Sequence, residues 1–282
     1  MARGLLAKPP SLRRYSQGPD GPDNKLVFLC RGRPRIVVVV SPVLFPDVVA
    51  EECGKAAAMR SLLRDLGSPI LEPLDTGRVQ ASTYAVLPYR EPLSQRRGLS
   101  WIDRLRVRRR LFTWLLRIAQ CRSIACDAAR YQSAFGALAR TITDGPAAVL
   151  LPTAEEYFAS GRFAARCCPM HGDLWKGNVL RGAPPAPFTL VDWHGSMADG
   201  FPIFDLIRAA VSFGLSPRAL QRQLQLHRTA LGCQVEDLPI YLLGALGHYA
   251  THMGEMPLAL FRRMADECVR SLYAAQTLTH RP

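Results

Sequence analysis

The chain has 282 residues, 48% of them hydrophobic and 21% charged, with a formal charge of +13 and eight cysteines. That length is enough for two lobes around a sizeable core, and the balance excludes disordered and fibrous classes. The positive field favours anionic partners, but no stacking motif, zinc knuckle or basic-aromatic repeat accompanies it, so nucleic acid is not expected among them.

In chain order, residues 1–25 are rich in Pro, Gly and Asp and read as an irregular lead-in without an apolar secretory segment. Leu26–Cys30 and Ile36–Val40 are β-rich runs that pair as a hairpin across Arg31–Arg35. The second run is far too short to span a bilayer, so a cytoplasmic protein with no membrane span is expected. Asp47–Leu66 has helical spacing, stopped by Gly67-Ser-Pro69, and short strands are predicted at Ile70–Leu74 and Ser82–Pro88. Trp101–Arg140 reads as mostly helical, its first helix basic and amphipathic. Docking on an acidic partner competes there with core packing beneath a solvated arginine face. A connector is predicted at Thr141–Pro152, a helix at Ala154–Arg166, and short strands at Val179–Arg181 and Phe188–Val191. From Pro202 onward the pattern is helical, with breaks near Gly214–Pro217, Gly232 and Gly254–Pro257. No Cys-x-x-Cys pair occurs, so reduced thiols rather than a zinc site are expected.

The stretch that carries chemistry is His171-Gly-Asp173-Leu-Trp-Lys-Gly-Asn178, followed by Asp192. Phosphoryl transfer needs a carboxylate to accept the acceptor hydroxyl's proton and hard oxygen ligands for a divalent cation. The step of two from His171 to Asp173 and of five from Asp173 to Asn178 reproduces the protein-kinase catalytic loop. A hairpin of the two short strands would return Asp192 beside Asn178. Asp and Asn near Gly are also ordinary turn residues, but three ordered fragments at the right spacings are hard to obtain by chance.

These residues, with Leu190-Val-Asp-Trp193 and Asp199-Gly-Phe-Pro-Ile-Phe-Asp-Leu206, resemble the aminoglycoside phosphotransferase/choline kinase-like family. The resemblance implies an α+β, protein kinase-like bilobal fold. A nucleotide-binding lobe over 1–90 and a catalytic and acceptor-binding lobe over 91–282 are expected. It implies Asp173 as catalytic base, His171 as organiser of the catalytic loop, Asn178 and Asp192 as magnesium ligands, and Asp205 as a buried brace. The expected activity is ATP- or GTP-dependent and Mg2+-dependent transfer to a hydroxyl of a small molecule, a sugar being favoured over a cationic antibiotic by the positive charge.

The first lobe departs from the family. Where members read P-R-x-V-V-K-V and then E-A-A-A-L-R, this chain reads Pro34-Arg-Ile-Val-Val-Val39-Val and Lys55-Ala-Ala-Ala-Met-Arg60. Val39 therefore stands at the lysine position and Lys55 at the glutamate position. Either Lys55 reaches the nucleotide phosphates from the helix, or Glu51 or Glu52 is the helix acid, or the protein is a nucleotide-binding pseudokinase. Gly18–Gly21 lacks a phosphate-loop spacing. A basic scaffold docking through Arg96–Arg110 is the reading from another class. Trp175 and Trp193 read as packing residues, with lining of the acceptor site the alternative for Trp175, and His248, His252 and Glu255 as candidate acceptor contacts. The oligomeric state is not legible.

Overall fold

Apolar runs carrying β-branched or aromatic residues prefer the pleated backbone, where such a side chain packs against its cross-strand neighbours. In a computed structural model describing residues 12–14, 24–30, 34–93, 101–183, 186–252 and 256–280, the two runs predicted first are strands at their predicted bounds. They are β2 (Leu26–Cys30) and β3 (Ile36–Val40), paired antiparallel with Val27 opposite Val39. A strand at Leu12–Arg14, β1, extends the sheet within the segment expected to be irregular. The chain divides into two compact units, residues 1–99 with 177–195, and residues 100–176 with 196–282. The segment after the catalytic loop clusters with the first unit.

In the first unit, β4 (Asp75–Val79) and β5 (Ser82–Pro88) complete an antiparallel sheet of order β1-β2-β3-β5-β4 among the described residues. Cys30, Ile36 and Val86 form a buried cluster with Val38 and Tyr84 packed against it. The strand expected at Ile70–Leu74 is reduced to one bridge, Ile70 with Leu190. Pro73 has no N–H to give a ladder, and the pairing resumes at the polar run Asp75–Val79, which propensity alone passes over. Helix α1 (Val48–Leu62) has no cap from its own Asp47 side chain. The sheet caps it instead, Val49 N donating to Ser41 Oγ at 3.0 Å and Ala50 N to Thr83 Oγ1 at 3.3 Å. Those bonds satisfy N–H groups that a helix leaves open at its start, and they tie α1 to the ends of β3 and β5.

The second unit is mainly helical. Its elements are α2 (Trp101–Arg122), β6 (Ile124–Ala125), α3 (Ala129–Thr141), α4 (Gly145–Ala159) and β7 (Arg166–Met170). After the excursion into the first unit come β10 (Met197–Gly200), α5 (Phe204–Ser212), α6 (Pro217–Leu231), α7 (Asp237–Thr251) and α8 (Leu258–Gln276). The predicted connector at 141–152 is mostly the first half of α4, which has Pro146 in its first turn, where proline is suited. The predicted helix at Ala154–Arg166 ends at Ala159, and its last residue begins β7. A short sheet orders β10-β7-β6. Tyr131 stacks edge-on with Phe163 and Phe201 at 4.8 and 5.1 Å, a core that joins α3 to the loops around β7 and β10. On α2, Val107, Leu111, Phe112, Trp114 and Leu115 are buried while Arg104, Arg106, Arg109 and Arg110 are exposed, which is the core-packed helix with a solvated arginine face. No helix among the described residues is long and apolar enough to cross a membrane.

Candidate functional site

The catalytic-loop fragment leaves β7 at Met170. Gly172 has φ 87°, a left-handed conformation that a side chain would strain, so the middle position of His-Gly-Asp needs glycine. Asp205, in the first turn of α5, holds the loop from below. Its Oδ2 accepts from His171 N at 2.5 Å and its Oδ1 from Gly172 N at 3.1 Å. Burial pushes the Asp205 carboxyl above its ordinary range, and the two backbone N–H donors oppose that shift. His171 is itself 2% exposed, and its Nδ1 accepts from Asp173 N at 3.3 Å. Asp173, at the edge of the buried loop, accepts from Arg208 Nη2 at 3.1 Å. Lys176 N donates to Ser212 Oγ at 2.8 Å, tying the loop to the far end of α5. Gly200 faces β7 so closely that a Cβ there would lie 2.3 Å from Met170 Cβ. The Asp199-Gly-Phe-Pro fragment thus keeps β10 against the strand that carries the loop.

In the first unit, β8 (Val179–Arg181) and β9 (Phe188–Leu190) form the predicted hairpin. Val191 N donates to Asn178 O at 3.1 Å, which brings the residues flanking the two strands together. Asp192 then takes φ 66°, a turn conformation that aspartate tolerates better than most residues. Trp193 is buried as expected, Nε1 donating to Leu190 O. Trp175, by contrast, is 41% exposed and packs no core.

The cation beside Asp192 is Lys25. Its Nζ lies 2.9 Å from Asp192 Oδ1 and 2.5 Å from Glu52 Oε2, with the lysine side chain only 14% exposed. Burial alone would lower the ammonium's pKa, and the Glu52 and Asp192 charges outweigh it and hold the pKa above the lysine range. Glu52 also accepts from Trp193 N at 3.2 Å, so one carboxylate of α1 holds both the lysine and the segment carrying Asp192. Beside this group lies an apolar hollow whose lining includes Val39, Glu52, Ala56, Ala85, Leu190 and Asp192.

Of the residues singled out from sequence, Asn178 and Asp192 come together in the first unit, and His171, Asp173 and Asp205 in the second. Lys55 is exposed, and its Nζ donates to His194 O at 2.5 Å. On α1 it is Glu52 that pairs with a lysine, Lys25, while Glu51 is exposed. Val39 lines the hollow as a neutral side chain. Lys25 was missed because it precedes its strand and no motif marks it. The available signal was pleat alternation, which gives Lys25 the face of Val27, the partner of Val39. His248 and His252 stack at 4.2 Å at the end of α7. Glu255, Gly18–Gly21 and residues 96–100 lie outside the described residues. The eight cysteines are free thiols.

For a divalent cation, no group of three or more His, Cys, Asp or Glu side chains gathers among the described residues. Magnesium at a nucleotide site needs only one or two protein ligands, with phosphates and water completing its octahedron. The oxygen donors of Asn178 and Asp192, at the two feet of one hairpin, fit that requirement.

No curated protein matches this sequence. Among solved structures, a thermostable mutant of aminoglycoside phosphotransferase APH(4)-Ia, in ternary complex with ADP and hygromycin B, is 15% identical. It is matched over 93% of this chain and 94% of that one, with a TM-score of 0.57. Wild-type aminoglycoside 2'-phosphotransferase-IIIa with GDP is 13% identical over 99% and 96% of the two chains, TM-score 0.56. Choline kinase LicA from Streptococcus pneumoniae is 14% identical over 96% and 95%, TM-score 0.52. At these identities the likeness establishes the fold, which is protein kinase-like. The model of the phosphotransferase enzyme family, APH, matches residues 22–234 and so takes in the catalytic loop, the hairpin and the α5 brace: the chain belongs to the phosphotransferase enzyme family.

Proposed function

We propose that this chain is a magnesium- and nucleotide-dependent phosphotransferase that acts on a hydroxyl group of a small molecule. The observation that carries this reading is the intact pair of half-sites. Asp173 stands on a loop braced by Asp205, and Asn178 and Asp192 stand at the feet of one hairpin. A protein that had lost turnover would be under no constraint to keep all of them.

Asp173 is the group to accept the proton of the acceptor hydroxyl, with Arg208 orienting its carboxylate and His171 holding the loop's backbone. Asn178 and Asp192 would hold the cation, which when bound neutralises charge on the transferring phosphoryl group. The hollow of the first unit, apolar with a charged edge, suits a nucleoside base and its phosphates. ADP, GDP and AMP-PNP accompany the related structures, which supports a nucleotide and leaves ATP or GTP as the donor. The chain's charge of +13 disfavours a polycation and so favours a neutral or anionic hydroxyl compound, a sugar first, as acceptor.

The test is calorimetric titration of ATP, and separately of GTP, into the purified protein with and without magnesium. Binding that requires magnesium and that Asp192→Ala abolishes supports the reading and justifies an acceptor screen. Absence of binding for both nucleotides overturns it in favour of a non-catalytic module.

A further inference from the structure

The family supplies its phosphate-facing lysine from the strand position that here is Val39, and this chain nevertheless keeps the helix acid that such a lysine pairs with. We infer that the nucleotide phosphates are held by Lys25, at the entry to β2, so that the anchoring cation has moved to the neighbouring strand. This rests on the phosphotransferase reading above and assigns a binding residue within it.

Three observations converge on Lys25. Its ammonium bridges Glu52 of α1 and Asp192 after β9, the two carboxylates that a kinase-like site places against its lysine and its metal. It lies on the face of the sheet that carries Val39, because Val27 is opposite Val39 and Lys25 is two residues before Val27. Val39, Glu52 and Asp192 all line one hollow, so an aliphatic side chain fills the ordinary lysine position while the charge enters at the same rim from the adjacent strand. The other candidate, Lys55, is occupied by the His194 carbonyl. A surface ion pair would not explain the arrangement, since the lysine is nearly buried and takes two carboxylates from elements far apart in sequence.

The full-length protein tests this by calorimetry with the magnesium complexes of ATP and GTP, and with the free nucleoside of whichever base the wild type prefers. Lys25→Met is expected to weaken nucleotide binding by about 10- to 100-fold, the range of a lost charge-assisted hydrogen bond, and to leave nucleoside affinity within about twofold. The exchange Lys25→Met with Val39→Lys is expected to recover most of the loss, because the lysine returns to the same face. Equal weakening for nucleoside and nucleotide would make Lys25 a structural residue and overturn the inference. So would wild-type-like nucleotide binding by Lys25→Met, with Lys55→Ala the variant that loses it. If Lys25→Met does not fold, the exchanged protein decides alone: folded and binding supports the relocation, folded and not binding refutes it. A wild type that binds no nucleotide fails at the earlier stage and takes the phosphotransferase reading with it.

Discussion

The two half-sites reach their geometry by different routes. In the second unit, His171, Gly172 and Asp173 are consecutive, and their conformation is held by backbone bonds to one carboxylate, Asp205. Gly172, with φ 87°, needs glycine, and its two neighbours stand at fixed offsets from it, so the motif is readable. In the first unit the requirement is a positive charge at the rim of a hollow, and a flexible lysine can meet it from more than one strand. Lys25 satisfies it where Val39 does not. A site held by backbone geometry resists rearrangement, whereas one held by a long side chain tolerates it.

The sharpest way to separate the halves is Asp173→Asn. Phosphoryl transfer to an acceptor found by screening is expected to fall by about 10²–10⁴-fold, with magnesium-nucleotide affinity unchanged by calorimetry. Parallel loss of nucleotide binding would show that the two halves do not divide the work in this way.

Asp205→Ala probes the brace itself. It leaves the N–H groups of His171 and Gly172 buried without their carboxylate, at a cost of about 2–5 kcal/mol. Thermal unfolding should drop by roughly 5–15 °C, and Asp205→Asn, which keeps one acceptor, should lose less. An unchanged melting point for both variants would remove the brace from the account.

Acid should act on the second unit through His227 on α6. Burial depresses its pKa to about 4, although a bond from the ring to the Gln223 carbonyl opposes the shift. The unfolded chain takes up this proton near pH 6.5, while the folded ring resists until about 4. Stability therefore falls as pH drops through that window, by up to about 3 kcal/mol. Denaturant unfolding at pH 7 and pH 4.5 should show the loss, and His227→Leu should reduce the slope. Among the described residues the hollow's lining contains no histidine, so nucleotide affinity should not share this particular titration.

The smallest effect belongs to Glu52→Gln. The neutral amide keeps the shape that accepts from Trp193 N and weakens only the hold on Lys25, so nucleotide affinity should fall about threefold. A loss as large as that of Lys25→Met would mean that the helix acid, not the lysine, dominates the rim.

What the sequence determined by itself lies in local chemistry. The apolar runs set β2 and β3 to the residue, the turn-prone stretch after Arg181 set the hairpin, and the spacing from His171 to Asn178 identified the loop and the family. Proline and glycine breaks marked the late helices because those residues act on their own backbone. The polar β4, the short β10 and the early start of α4 escaped, since pairing partners and helix packing decided them against weak local preference. Tertiary structure alone decided which cation serves the first half-site. Lys25, Glu52 and Asp192 are separated by 27 and 140 positions, and no local rule relates them. Only the register of β2 on β3, the sheet-capped seat of α1 and the return of the β8–β9 hairpin bring the three charges within hydrogen-bonding distance, where two carboxylates make a nearly buried ammonium stable.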